Sequence, residues 1–180
     1  PVKTAGKVNF GPWSEDAEVD IDTLKSVKSP KDVFFPQSEN LYTCEREGRK
    51  LKVEPEALKE QRFTVFGMRA CDVQGVKVLD QVFLADPVDS FYAGRKHGTM
   101  VAIACHEPEE SCFCKVFGID CAEPAADVAA WFAGEELYWK ALTEKGQTLT
   151  EILSGLLTDA DSEDEKKLSE EQTAIRAIVE

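Results

Sequence analysis

Two short apolar runs, each leading into a cysteine, constrain this chain more than any other feature. The first is Thr64-Val65-Phe66-Gly67-Met68, continued by Arg69-Ala70-Cys71-Asp72. The second is Thr99-Met100-Val101-Ala102-Ile103-Ala104-Cys105, followed after a turn-rich stretch by Ser111-Cys112-Phe113-Cys114. Such runs are short for helices and suit strands covered on both faces. Between them Val73, Val76, Val78-Leu79 and Val82-Phe83 recur at three- and four-residue steps, the period of a helix, with Asp72 placed to cap it. Strand, helix, strand in this order predicts a βαβ unit whose strands are parallel. Functional groups on such sheets gather beyond the carboxyl ends of the strands. Cys71 and Cys105 are therefore expected as neighbours, Cys71 at a helix start whose free N–H groups and dipole favour a thiolate.

The remaining segments read as scaffold. Gly11-Pro12, Ser29-Pro30 and Pro36 punctuate a polar N-terminal third, with a short helix expected at Asp20-Ile21-Asp22-Thr23-Leu24. Residues 40–45 and 50–54 alternate apolar and polar about Gly48, the pattern of a hairpin, in which Cys44 reads as a packing residue. A short helix is expected over 91–96, and strands over 127–132 and 137–142, turned by Gly134. An amphipathic helix is expected over 148–157, opened by a loop at Glu144-Lys145-Gly146. Residues 158–167 carry Asp159, Asp161, Glu163, Asp164 and Glu165 and read as a solvated linker. A last helix over 168–179 would hold Ile175, Ile178 and Val179 on one face. The expected fold is α/β (or α+β), a small mixed sheet with a βαβ unit and flanking helices. Its domain would cover residues 1–157, with an acidic linker and terminal helix over 158–180.

A net charge of −13 argues against a nucleic-acid partner, because phosphate binding needs a basic surface. No apolar run approaches the roughly 18 residues that a membrane helix needs. Pro1 to Gly6 hold neither a signal core nor an initiator methionine, which suggests a piece of a longer protein. Six cysteines without a secretory signal point to metal or redox use in the cytoplasm rather than to disulfides.

The pattern is Cys71, then Cys105, Cys112 and Cys114, with Cys121 further on. Neither the C-x2-C-x2-C-x3-C-P run of ferredoxins nor the paired C-x2-C knuckles of zinc ribbons is present. A loop holding Cys112-Phe113-Cys114 can aim two sulfurs at different irons of one cubane, with Phe113 screening them from water. Arg69, Arg95, Lys96 and Lys115 are the cations available in sequence to offset thiolate charge. Other readings stand beside this one. Cys71 and Cys105 can be core residues at strand ends. Cys112 and Cys114 can be a redox pair or zinc ligands, joined by His97 or His106. A Cys105–His106 nucleophile is disfavoured because adjacent strand residues face opposite ways. The chain has no nucleophile elbow, phosphate loop or dinucleotide fingerprint.

At these residues the chain resembles a known family. Phe66-Gly67-Met68-Arg69-Ala70-Cys71-Asp72, then Leu79-Asp80-Gln81-Val82-Phe83-Leu84, is similar to its G-x-R-P-C-D…L-D-x-V-F stretch. Phe91-Tyr92-Ala93-Gly94-Arg95-Lys96, Cys105 and Cys112-Phe113-Cys114 follow in the family's order. Upstream, Lys31 to Glu39 resembles its Phe/Leu-Pro-x-x-Glu segment, and Leu142 to Gly146 also fits. The family is the beta subunit of soluble nickel–iron hydrogenases (sulfhydrogenases), together with its counterpart in anaerobic sulfite reductase. The resemblance covers roughly residues 30–157. It implies an iron–sulfur electron-transfer domain, not catalytic alone, in a hydrogenase or sulfite-reductase complex. There it would relay electrons between a flavin subunit on one side and a catalytic subunit on the other. It also implies a [4Fe–4S] cluster on Cys71, Cys105, Cys112 and Cys114, and a ferredoxin-like region beyond residue 180. Structural zinc, or a metal-free docking module, is the alternative. Ala70 stands where the family has proline, and Cys121 lies outside its pattern as a bystander or alternate ligand.

Overall fold

The two apolar runs form neighbouring strands of a mixed four-stranded sheet, the second central and the first at its edge, where, contrary to expectation, it is not covered on both faces. A computed structural model describes residues 2–4, 7–9, 12, 28–57 and 60–179. The helix expected at Asp20 to Leu24 lies outside the described residues. Two strands, β1 (Val2–Thr4) and β2 (Lys7–Asn9), pair antiparallel, followed by a short helix, α1 (Lys31–Phe34). The expected hairpin is present as β3 (Tyr42–Glu47) and β4 (Lys50–Pro55), with Gly48 at φ +60° in the turn. Every residue of both strands is exposed. Cys44 is therefore a surface thiol and not a packing residue, because alternation alone does not supply a surface to pack against.

The βαβ unit is β5 (Phe63–Met68), α2 (Ala70–Phe83) and β6 (Gly98–Ile103), with β5 and β6 parallel. Residues 92–97, before β6, form a 3-10 helix. Next come β7 (Val128–Ala133) and β8 (Glu136–Ala141), turned by Gly134 at φ +65°. The sheet order is β5-β6-β7-β8; β6 and β7 are parallel, and β7 and β8 antiparallel. The mixed α/β architecture is as the patterning predicts.

Alternation along β6 and β7 divides the core. Met100 and Ala102 face Met68, Val73 and Val76, the last two on α2. Val101, Val128 and Ala130 turn the other way, against Trp139 and Leu149. Leu149 belongs to α3 (Glu144–Ile152), which begins four residues before its expected start. The cause is Thr143, whose side chain accepts the Gly146 N–H at 3.3 Å as an N-cap. Asp127 ties this helix to the sheet by accepting the Met100 N–H at 2.8 Å and the Thr143 hydroxyl at 2.7 Å. The backbone contact is close. A Cβ on Gly146 would lie 2.1 Å from the Asp127 carbonyl oxygen. Gly146→Ala is therefore expected to destabilise by about 1–3 kcal/mol or more, since backbone must move, read as a lowered urea midpoint with unchanged slope.

The last helix, α4 (Ser162–Val179), absorbs most of the expected linker. Asp161 accepts N–H bonds from Glu163 at 2.7 Å and Asp164 at 3.0 Å, and the Asp164 carboxylate accepts the Asp161 N–H in return. The acidic run is thus a helix start, where negative side chains meet free N–H groups. Leu168 and Ile175 carry α4 onto the face of β7 that bears Ala129 and Trp131. Ile178, expected on that buried face, is exposed.

Candidate metal centre

Five of the six thiols belong to segments at the carboxyl-end side of β5 and β6. Between Phe66↔Val101 and Met68↔Ala102 the register slips at Gly67, a bulge at φ +85° that only glycine adopts without strain. The chain then enters α2 at Ala70, making Cys71 its second residue. Asp72 is not the cap. It is the third helical residue, and its carboxylate reaches back to the Arg69 N–H at 3.2 Å and the Arg69 Nε at 3.0 Å.

Cys105 lies two residues beyond β6. Its N–H donates to the Cys121 carbonyl at 3.2 Å, while the preceding Ala104 N–H donates to Ala130 at 2.9 Å. Cys114 closes a tight turn, its carbonyl accepting from Phe117 at 3.2 Å and Ile119 at 2.9 Å. Cys105 and Cys114 both pack against the cluster of Ala104, Cys121, Ala122, Ala129, Trp131 and Ile175. Cys112 is exposed on the preceding loop, where its Sγ accepts the Glu109 N–H at 3.2 Å. Phe113 is 60% exposed and does not screen the sulfurs.

The thiols influence one another. Burial chiefly, and then Cys71, Cys121 and Cys114, push the Cys105 thiol up to about 12, with Arg69 acting in the opposite sense. Burial, followed by Cys71, Cys121 and Cys112, also raises Cys114. Cys121 is raised by burial and then by Asp120, with Cys112 adding to the rise. For Arg69, burial lowers its pKa; the bond and charge of Asp72, followed by Cys71 and Cys105, outweigh this and hold it above its ordinary value.

Of the expected cations, Arg69 is thus in direct electrostatic contact with Cys71 and Cys105. Arg95 sits elsewhere, paired with Asp80 at 3.3 Å and 5.1 Å over the Phe34 ring. Lys96 and His97 precede β6, at the end opposite Cys105, about 20 Å away along a six-residue strand. Lys115 is exposed in the turn after Cys114. His106 holds Glu171 of α4 through Nδ1 at 3.0 Å, while its buried Nε2 has no hydrogen-bond partner among the described residues. Neither Glu171 nor the inward position of Cys121 was marked by motif. The available signal was the Leu168, Glu171, Ile175 spacing, which shares one helix face.

Among the described residues, no three His, Cys, Asp or Glu side chains are gathered closely enough to hold a metal ion as they stand. The donor chemistry nevertheless fits a thiophilic centre: several cysteines electrostatically coupled, partly buried, with a guanidinium beside them. Raised thiols are protonated near neutral pH, so loading must release protons. A raised folded-state pKa also fixes the sign of a stability effect. The Cys105 contribution is complete below the ordinary value of 9.0 and is lost as pH rises towards about 12. Metal-free protein is therefore expected to lose stability over that window. Cys105→Ala should flatten part of the loss in urea titrations, leaving the parts due to the other raised groups, Cys114, Cys121, Tyr92 and Tyr138.

No family model and no solved structure matches the chain. Over 129 residues, 71% of its length, the chain is 30% identical to the beta subunit of sulfhydrogenase 2 from Pyrococcus furiosus. This chain is a relative of the sulfhydrogenase beta subunit. It spans 37% of that relative's length. The resemblance carried by the Gly67 to Asp72 and Leu79 to Phe83 motifs is thereby supported across most of the chain. No helix among the described residues is long and apolar enough to cross a membrane.

Proposed function

We propose that this chain is an iron–sulfur electron-transfer domain of a multisubunit, hydrogenase-type redox complex. It would work in the cytoplasm, between a flavin subunit on one side and a catalytic subunit on the other. The observation that carries the reading is the meeting of cysteine-bearing segments beyond the sheet: the Cys105 N–H donates to the Cys121 carbonyl, and Cys105 and Cys114 pack on the cluster that holds Cys121. Cys71, Cys105 and Cys114 would hold a [4Fe–4S] cluster with a fourth thiol, Cys112 in the family's pattern and Cys121 as the alternate. When bound, such a cluster supplies one-electron transfer. Arg69 would offset part of the thiolate charge, its guanidinium steadied by Asp72. The Ala104, Trp131 and Ile175 packing would limit water on the inner side, which tunes the potential of an iron–sulfur site.

Anaerobic titration with dithionite tests the reading. The iron- and sulfide-reconstituted chain should take up about one electron per molecule and lose broad visible absorbance as it does so. Zinc in the same thiols accepts no electron. A chain that accepts none would favour a structural zinc or docking module.

A further inference from the structure

We propose that a cleft at the sheet end opposite the cysteines binds a planar, uncharged nitrogen heterocycle, the class to which purine nucleosides belong. The proposal is independent of the iron–sulfur reading. It concerns two motifs which that reading leaves unused, Lys31 to Glu39 and Phe91 to Lys96.

These segments meet around a cleft of about 580 Å³. Small-molecule sites run to roughly 300–1,000 Å³. Phe34 of α1, Phe63 at the start of β5, Phe91 and Arg95 form its buried and half-buried lining, and Glu39 and Glu56 belong to its exposed lining. The aromatic wall is preformed. Phe34 and Phe63 lie 5.6 Å apart, and both press on Gly98, where a Cβ would come within 2.6 Å of Phe63 and 2.8 Å of Phe34.

Arg95 sets the chemistry. Its side chain is only 9% exposed, and its guanidinium lies 5.1 Å over the Phe34 ring. Nη2 donates to Asp80 at 3.3 Å and to the Met100 sulfur at 3.7 Å. The buried Nε has no hydrogen-bond partner among the described residues. Buried donors are nearly always paired, so this one marks a place where an acceptor is wanting. The guanidinium is held in position, because Asp80 also accepts the Tyr92 hydroxyl at 2.7 Å.

The charges select the ligand. Among the described lining residues Arg95 is the one cation, already paired with Asp80, while Glu39 and Glu56 are carboxylates. An anion is repelled by the two glutamates, and a cation by Arg95. An uncharged ring escapes both costs. Its acceptor atoms complete Arg95, its N–H groups donate to the glutamates, and its faces lie against phenylalanine.

Equilibrium dialysis of the chain against guanosine tests the site. Guanosine offers O6 and N7 as acceptors and its 2-amino group as a donor. It should bind saturably, one per chain. Adenosine, without that donor, and guanosine 5′-phosphate, which brings charge to the glutamates, should each bind about tenfold more weakly. Arg95→Lys keeps the charge beside Asp80 but loses Nε, and should weaken guanosine about tenfold. Phe91→Ala, at a half-buried wall position, should weaken it as well. Glu39→Gln combined with Glu56→Gln, at exposed positions, should abolish the preference for guanosine over its phosphate. Cys71→Ser, at the far end of the sheet, should bind guanosine as the unsubstituted chain does. Absence of saturable guanosine binding, equal binding of all three compounds, or binding indifferent to Arg95→Lys and Phe91→Ala would overturn the proposal. None of these results bears on iron uptake, so the two readings stand or fall separately.

Discussion

Trp131→Ala is expected to lower the unfolding free energy by about 3–5 kcal/mol, the range for removing a large aromatic from a packed core. Trp131 is completely buried in β7, between the sheet and α4, and contacts the cluster of Ala104, Cys121, Ala122 and Ile175. Alanine removes the indole and its bond to the Ala122 carbonyl, so that a formerly paired acceptor loses its donor. The damage should extend beyond stability. Trp131 anchors the segment carrying Cys121 and supports the packing of Cys105 and Cys114. Iron uptake should therefore fall even under conditions where circular dichroism shows the variant folded. Trp131→Phe, which keeps most of the packing but not the donor, should recover most of the stability and only part of the uptake.

The second large effect is expected at the proposed metal centre. Cys71→Ser and Cys105→Ser are each expected to reduce iron per chain to less than half that of the unsubstituted protein and to remove most broad visible absorbance. Serine is nearly isosteric but supplies a hard, weakly acidic oxygen in place of a soft thiolate. The two positions come from different elements, α2 and the end of β6, so a joint loss reports their convergence on one centre. Cys44→Ser, on the exposed β3–β4 ribbon, should leave iron content unchanged. The metal-free Cys71→Ser chain should unfold near the parent midpoint, because Cys71 is only partly buried and lies outside the fully buried core.

The central βαβ unit was legible because two different periods meet there. Val65 and Val101 lie in short apolar runs, while Val73 and Val76 recur at helical steps, and few other folds satisfy both. The ends of elements were less legible. Glu144-Lys145-Gly146 looks like a loop, yet Thr143 caps a helix there and Gly146 is needed for its approach to Asp127. The acids from Asp159 to Glu165 suggest a solvated linker, yet Asp161 and Asp164 exchange the hydrogen bonds of a helix start. Composition recorded the charge, but the spacing of the two aspartates carried the structure. Cys44 shows the opposite case. Its alternating pattern gave the hairpin correctly and its burial wrongly, since no element covers that ribbon among the described residues.

The candidate site divides in the same way. Cys71 and Cys105 follow from sheet topology, which any βαβ unit imposes. The relative placement of Cys112, Cys114 and Cys121 depends on a turn-rich segment whose shape is set by backbone bonds around Cys114 and by α4 gripping Asp120. Those contacts join residues 56 positions apart and leave no local trace in the sequence. A separation of 65 positions likewise hid the meeting of His106 with Glu171.

Elemental analysis of the chain, purified and reconstituted without oxygen, tests the central claim most directly. The account predicts about four iron and four acid-labile sulfide per chain, with both lost together on exposure to a chelator and oxidant. Stoichiometric zinc without sulfide, or no bound metal after anaerobic reconstitution, would contradict it.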